Sequence, residues 1–282
     1  MKYIVAISTA FACMLGVASA NAQTLNVNCG NVNYHFDSSK TGVMLFNGGT
    51  ELTILDKTLS ISGITNISTT SEPIADNTVC IAYGDDMTTA TIAGNVARYV
   101  DITVDGGHVV VNQSADVSDE TCGEITYVLS GNCVDGEFTL NGSFKASIEL
   151  NGLTLINPSG AAIDIQDSKR IAIRVKENTV NTLTDGASGS QKAALYCKGH
   201  LEFKQKGTLN VYGLKSHAIS AKEYIQIKNT KINIYSAVKD GLNCNQYFLM
   251  ESGELNISGT GDDGIQVSYK DEIDREAEDT GT

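Results

Sequence analysis

Apolar residues return along the second half of this chain at fixed intervals. From Ile219 they follow at Ile225, Ile227, Ile232 and Ile234, offsets of six, eight, thirteen and fifteen residues. From Leu242 the same offsets fall on Phe248, Met250, Leu255 and Ile257. The unit before, opening at Leu195, gives Leu201, Phe203, Leu209 and Val211 with one extra residue ahead of its last pair, and a further unit opens at Ile265. Ile163, Ile165, Ile171 and Ile173 read as an earlier unit, lengthened by the excursion NTVNTLTDGASGSQK. Apolar residues two apart mark strand alternation, and the gaps between pairs are turn-sized. Three short strands therefore recur in each unit of 23 residues. Such a unit cannot bury its apolar face alone; stacked, the units enclose a continuous core, which predicts an all-β chain built on a parallel β-helix. A leucine-rich repeat has a similar length but needs a different Leu and Asn spacing, and no helical stretch fits here.

The pattern divides the chain. Residues 23–120 alternate as strands in segments such as ELTILDKTLSISGI without a clean period, and predict a small β-rich region preceding or capping the solenoid, with a soft boundary near SADVSDE. The solenoid is expected over 121–270. Residues 1–22 carry Lys2, an apolar stretch from Tyr3 to Val17 and small residues at Ala18, Ala20 and Ala22, the form of a secretory signal peptide. Export to the periplasm, the cell surface or the medium is the expectation. Cys13 inside the apolar stretch offers a lipoprotein alternative, for which the run before it is short. No other stretch approaches the ~18 apolar residues of a spanning helix. Residues 271–282, DEIDREAEDTGT, hold six acidic residues and one basic, and read as an acidic tail or as the start of a longer continuation.

Composition and charge narrow the chemistry. Abundant Gly, only two Pro and no Trp suit many short strands joined by tight turns. A formal charge of −13 argues against nucleic acid or an anionic membrane as partner, yet leaves room for divalent cations and, through them, acidic ligands. A monomer is expected. The six cysteines beyond the leader show no CxxC or zinc spacing and are too few for a disulfide scaffold. Cys197 and Cys244 fall two residues after the first apolar residue of their units, as core thiols two coils or ~9.6 Å apart, too far to bridge. Cys122 and Cys133, flanking GEITYVLSGN, are the disulfide candidates.

In a β-helix, one offset repeated through successive coils makes a ladder on the surface. Two residues before the first apolar residue stand His217, Asp240 and Asp263, with Asp262 beside the last. Carboxylates stacked ~4.8 Å apart repel by roughly 3.5 kcal/mol at an effective dielectric of ~20, so a cation between them is expected. Calcium suits the position, because it takes six to eight oxygens in flexible geometry; Asp240, Asp262, Asp263 and the amide oxygen of Asn243 are the candidate ligands. The alternative is a plain Asp-Gly turn whose charges relax in water.

Asn210, Asn233 and Asn256 form a second ladder, suited to side-chain hydrogen bonds between coils or to ligand contact. Tyr212 and Tyr235, with Ser258 beyond them, form a third; two tyrosine faces beside polar donors suit a sugar ring, or ordinary surface packing. Lys198 and Lys222 align as well, and a lysine near bound calcium is the kind of group that takes a proton alpha to a uronate carboxyl; a solvated lysine is the alternative. No nucleophile elbow, phosphate loop or EF-hand pattern is present.

With the segments ASIELNGLTLINPSGAAIDIQDSKRIAIRV, NTVNTLTDG, AALYCKGHLEF, KGTLNVYG, AVKDGLNC and GDDGIQV, the chain resembles the calcium-dependent carbohydrate-binding domain proteins with a polysaccharide-lyase-like right-handed β-helix. The resemblance covers about 126–269, and 23–119 resembles more loosely the leader of larger exported Bacteroidetes members. It implies binding of plant-type polysaccharides, acidic pectic chains included, with calcium held by Asp240, Asp262 and Asp263, and binding rather than cleavage. His217 stands where another acidic residue would extend the site, so a longer row of ions is not expected. Two other functions stay open: a calcium-dependent pectate-type lyase with Lys198 or Lys222 as base, and an adhesive or structural solenoid.

Overall fold

In the computed structural model, which describes residues 24–268, the repeated offsets are a stack of parallel strands. Ile219 lies against Leu242 and Leu242 against Ile265. Ile225 and Ile227 lie against Phe248 and Met250, and Ile232 and Ile234 against Leu255 and Ile257. Earlier coils keep the same register, with Ile163 against Leu195, Leu195 against Ile219, and Ile171 against Leu201. The result is an all-β solenoid of about 6 turns, 2% helical. Inward residues of the middle coils, Leu201, Phe203, Ile225, Ile227 and Ile232 among them, are fully buried. Each such side chain contributes about 1.5–3 kcal/mol relative to exposure, which a single coil could not collect without neighbours. The extra residue of the Leu195 unit is taken up in a turn where Gln205 adopts φ 73°, matched in the next coil by Asn229 at φ 67°. The Thr230 hydroxyl donates to the Gln205 carbonyl at 2.9 Å and ties the two turns together.

The region before residue 120 joins this stack directly. Thr78–Tyr83 lies parallel to Ile125–Cys133, and Gly107–Gln113 parallel to Gly136–Asn141, so two solenoid sheets run on into it. Val32–Asp37 also lies parallel to Thr89–Ala93, but the hairpin pairings are antiparallel: Thr24–Cys29 with Val32–Asp37, Thr78–Tyr83 with Thr89–Ala93, and Val100–Asp105 with Gly107–Gln113. Hairpins fold back instead of advancing a coil, which is why no constant period appears in this part of the sequence. Where Ile125–Cys133 meets the next strand the register slips beside Gly131, at φ 91°. A β-carbon there would collide with the Tyr83 carbonyl, so glycine is required.

The six described cysteines are all free, which corrects the expected Cys122–Cys133 bridge. Most of an extended strand, Ile125–Cys133, lies between the two, separating them by roughly 26 Å at ~3.3 Å per residue, far outside bonding reach. Cys197 and Cys244 are fully buried core thiols, and burial pushes Cys244 up to about 11. At the last described coil the inward residues Met250, Ile265 and Val267 are 39–43% exposed. The expected leader with Cys13 and the acidic stretch 271–282 lie outside the described residues. No helix among the described residues is long and apolar enough to cross a membrane.

Candidate functional site

The two Asp-Gly turns form successive storeys of one corner. Gly241 N–H donates to the Asp263 carbonyl at 3.0 Å, Leu242 N–H to Gly264 at 3.0 Å, and Ala218 N–H to Asp240 at 3.2 Å. A β-carbon on Gly241 would fall 2.7 Å from the Gly264 carbonyl oxygen, so glycine lets the corners stack at this separation.

Asp240 is 1% exposed, whereas Asp262 and Asp263 face solvent. Its Oδ1 accepts from the Asp263 N–H at 3.2 Å, and its Oδ2 lies 3.0 Å from His217 Nδ1 and 3.4 Å from Asn243 Nδ2. The two stacked aspartates therefore meet through a backbone donor, and the coil above supplies an imidazole. Burial lowers the His217 pKa, with the neighbouring Asp240 carboxylate opposing the shift and Lys192 and Lys239 adding to it. One oxygen each from Asp240, Asp262 and Asp263 lie within 4.8 Å of one another. Two oxygens on one calcium, each at 2.3–2.6 Å, are separated by at most about 5 Å, so spacing and all-oxygen chemistry both fit a hard cation.

This corner is one end of an open depression of about 280 Å³. Lys192, His217, Lys239, Asp240 and Asp262 gather there; Asn243 and Gln266, outward-facing on adjacent strands, form the floor; Asn245 and Ser268 close the far end. Asn243 sits on the strand after the corner. As placed it turns Nδ2 to Asp240 and to Gln266 Oε1 (2.7 Å), and its Oδ1 accepts from Ser220 Oγ (3.3 Å) and Lys192 Nζ (3.5 Å). Lys222 is exposed on the same ladder as Asn245, separated from His217 by the strand His217–Ala221, and is not among the lining residues; Lys198 is likewise exposed.

Tyr212 and Tyr235 lie on a different sheet and do not line the depression. Their rings stack, with centroids 5.2 Å apart and planes at 21°. A register slip after Val211 sets Tyr212 opposite Ser236, leaving Tyr235 as the extra residue, 47% exposed. The asparagine ladder is hydrogen-bonded from coil to coil, Asn256 Nδ2 to Asn233 Oδ1 and Asn233 Nδ2 to Asn210 Oδ1, both at 2.9 Å.

Sequence reasoning missed two features. His200, Tyr224 and Tyr247 stack in a column, 4.5 and 4.7 Å between centroids, and all three stand five residues after the first apolar residue of their units, an offset that would have revealed them. Lys192 comes from the long excursion and carries no periodic signal.

No curated protein matches the sequence. The solved structure of the polysaccharide lyase-like protein from C. thermocellum, as a gadolinium derivative, is similar to this chain with a TM-score of 0.60 and 21% identity, covering 70% of this chain and 77% of that one. That likeness shows a shared fold. Residues 116–278, more than half of the sequence, match a family model described as carbohydrate-binding domain-containing protein, and the chain belongs to that family.

Proposed function

We propose that the protein is an exported, non-catalytic carbohydrate-binding protein that takes plant-type polysaccharide, acidic pectic chains included, on its β-helix beside a calcium site. The observation that carries this reading is the cluster of the Asp240, Asp262 and Asp263 carboxylates at one end of an open, polar-lined depression that Asp240 and Asp262 help to line. Those three residues would hold the ion, and Asn243 would join them once its amide is turned oxygen-first. Bound calcium would neutralise the corner and offer coordination to sugar hydroxyl or carboxylate oxygens. Tyr212 and Tyr235 would give a second contact, stacking on the apolar face of a sugar ring. Lys222, on the ladder that Asn245 continues into the depression, would add a flanking polar contact.

Calorimetry against polygalacturonate and a neutral glucan, each with calcium and with chelator, tests the reading; no binding in any of the four conditions overturns it. Calcium at about a hundred times its dissociation constant is expected to stabilise the wild type by about 2.7 kcal/mol and to leave Asp240→Ala unmoved. Thermal unfolding with and without the ion measures this. Lys222 is exposed and set apart from the carboxylates, so no release of unsaturated uronides is expected from pectic substrates at alkaline pH with calcium; their appearance would make the protein a lyase.

A further inference from the structure

The depression gathers two lysines beside its carboxylates, although the chain carries a formal charge of −13. Of the two carboxylates that line it, Asp240 is buried and turned toward His217 and the Asp263 N–H, and Asp262 faces outward beside Lys192 and Lys239, with the exposed Asp263 at the edge of the corner. Both lysines are placed by backbone hydrogen bonds. The Lys192 carbonyl accepts from His217 N–H at 2.8 Å, and Lys239 donates to Ser216 at 2.7 Å while accepting from Asp262 N–H at 3.2 Å. Lys192 Nζ reaches over the floor to Asn243 Oδ1 at 3.5 Å. A ligand carboxylate lying over this floor would meet two ammonium groups as an opposite charge, where a neutral sugar would meet them only as hydrogen-bond donors.

We infer that Lys192 and Lys239 form an anion-selecting lip on this depression, which takes a carboxylate of an acidic sugar directly, without a metal between them. The inference rests on the carbohydrate-binding reading and adds to it the residues that set specificity. Charge-assisted hydrogen bonds from ammonium to carboxylate are about twice as strong as neutral ones, and both lysines gain only from an anionic ligand.

The test is affinity for polygalacturonate, for its methyl ester and for a neutral glucan, in buffer containing chelator, with wild type, K192Q, K239Q and the double variant. The acid form should bind the wild type at least tenfold more tightly than the ester, and each substitution should weaken acid binding about tenfold while leaving the ester unchanged. Added salt should erode the acid preference of the wild type and have little left to erode in the double variant. Lys239 is exposed, so K239Q should keep the wild-type melting temperature and stands as the folded control. Unchanged acid binding in the double variant, or acid binding that appears only with calcium, overturns the lysine lip and leaves carbohydrate binding intact. Failure of the wild type to bind any of the three, with or without calcium, removes the underlying reading and the lip with it.

Discussion

A histidine in a column of aspartates looks, in the sequence, like a break in the column. In the fold the His217 imidazole lies 3.0 Å from the buried Asp240 carboxylate, an arrangement that offset counting could place but not interpret, because the offset gives position and not the direction a side chain takes. The asparagine column was legible, since three identical residues at one offset leave little choice of partner. Asn233 both donates to Asn210 and accepts from Asn256, so Asn233→Ala removes two hydrogen bonds and should cost about 1–3 kcal/mol, read from denaturant unfolding. A second residue-scale prediction concerns Glu202. Burial opposes its ionisation, but Lys204 at 2.7 Å, the Tyr224 hydroxyl at 2.9 Å and Arg170 at 3.7 Å outweigh that effect and hold its carboxyl below the usual glutamate range. A folded-state pKa below the unfolded one contributes stability above about pH 4.5, lost as pH falls through the folded value. Glu202→Gln should therefore lower the melting temperature at pH 7 by the equivalent of about 1–2 kcal/mol, and the gap to wild type should narrow in melts taken below pH 4.5.

The element that matters is the coil. Its register was readable from Ile163 to Ile265 because each inward position demands an apolar residue and each corner a small one. Before residue 120 the same physics builds hairpins, whose spacing follows local turns, and the period vanishes. The cysteine pairing failed for a related reason: ten intervening residues suggested a loop, but they contain most of an extended strand. The coil also predicts which surgery the chain tolerates. Excising residues 219–241 brings Leu242 to the position of Ile219 with every inward and outward residue kept in phase. That variant should fold cooperatively with a lower melting temperature, whereas removing half as many residues should abolish the native circular dichroism. At the slip beside Tyr83, Gly131→Ala combines a left-handed backbone with a collision against a carbonyl, and should destabilise by more than about 2 kcal/mol in the same unfolding assay.

At the scale of the whole molecule, stability in a stack is a sum of coils and of contacts between neighbours, and the coil of Met250, Ile265 and Val267 buries its inward residues less fully than the coils before it. Native-state hydrogen exchange should show protection highest around Ile171–Phe203 and falling toward Leu255–Val267. The paired carboxylates of the corner belong to that last interface: Asp240 lies in one coil, Asp262 and Asp263 in the next. An occupant of the corner is thus a clasp between the loosest storey and the firm part of the column. By linkage, any free energy it adds to holding the storey closed is returned as affinity, so variants that loosen that coil, far from any ligand contact, should weaken binding by the same factor.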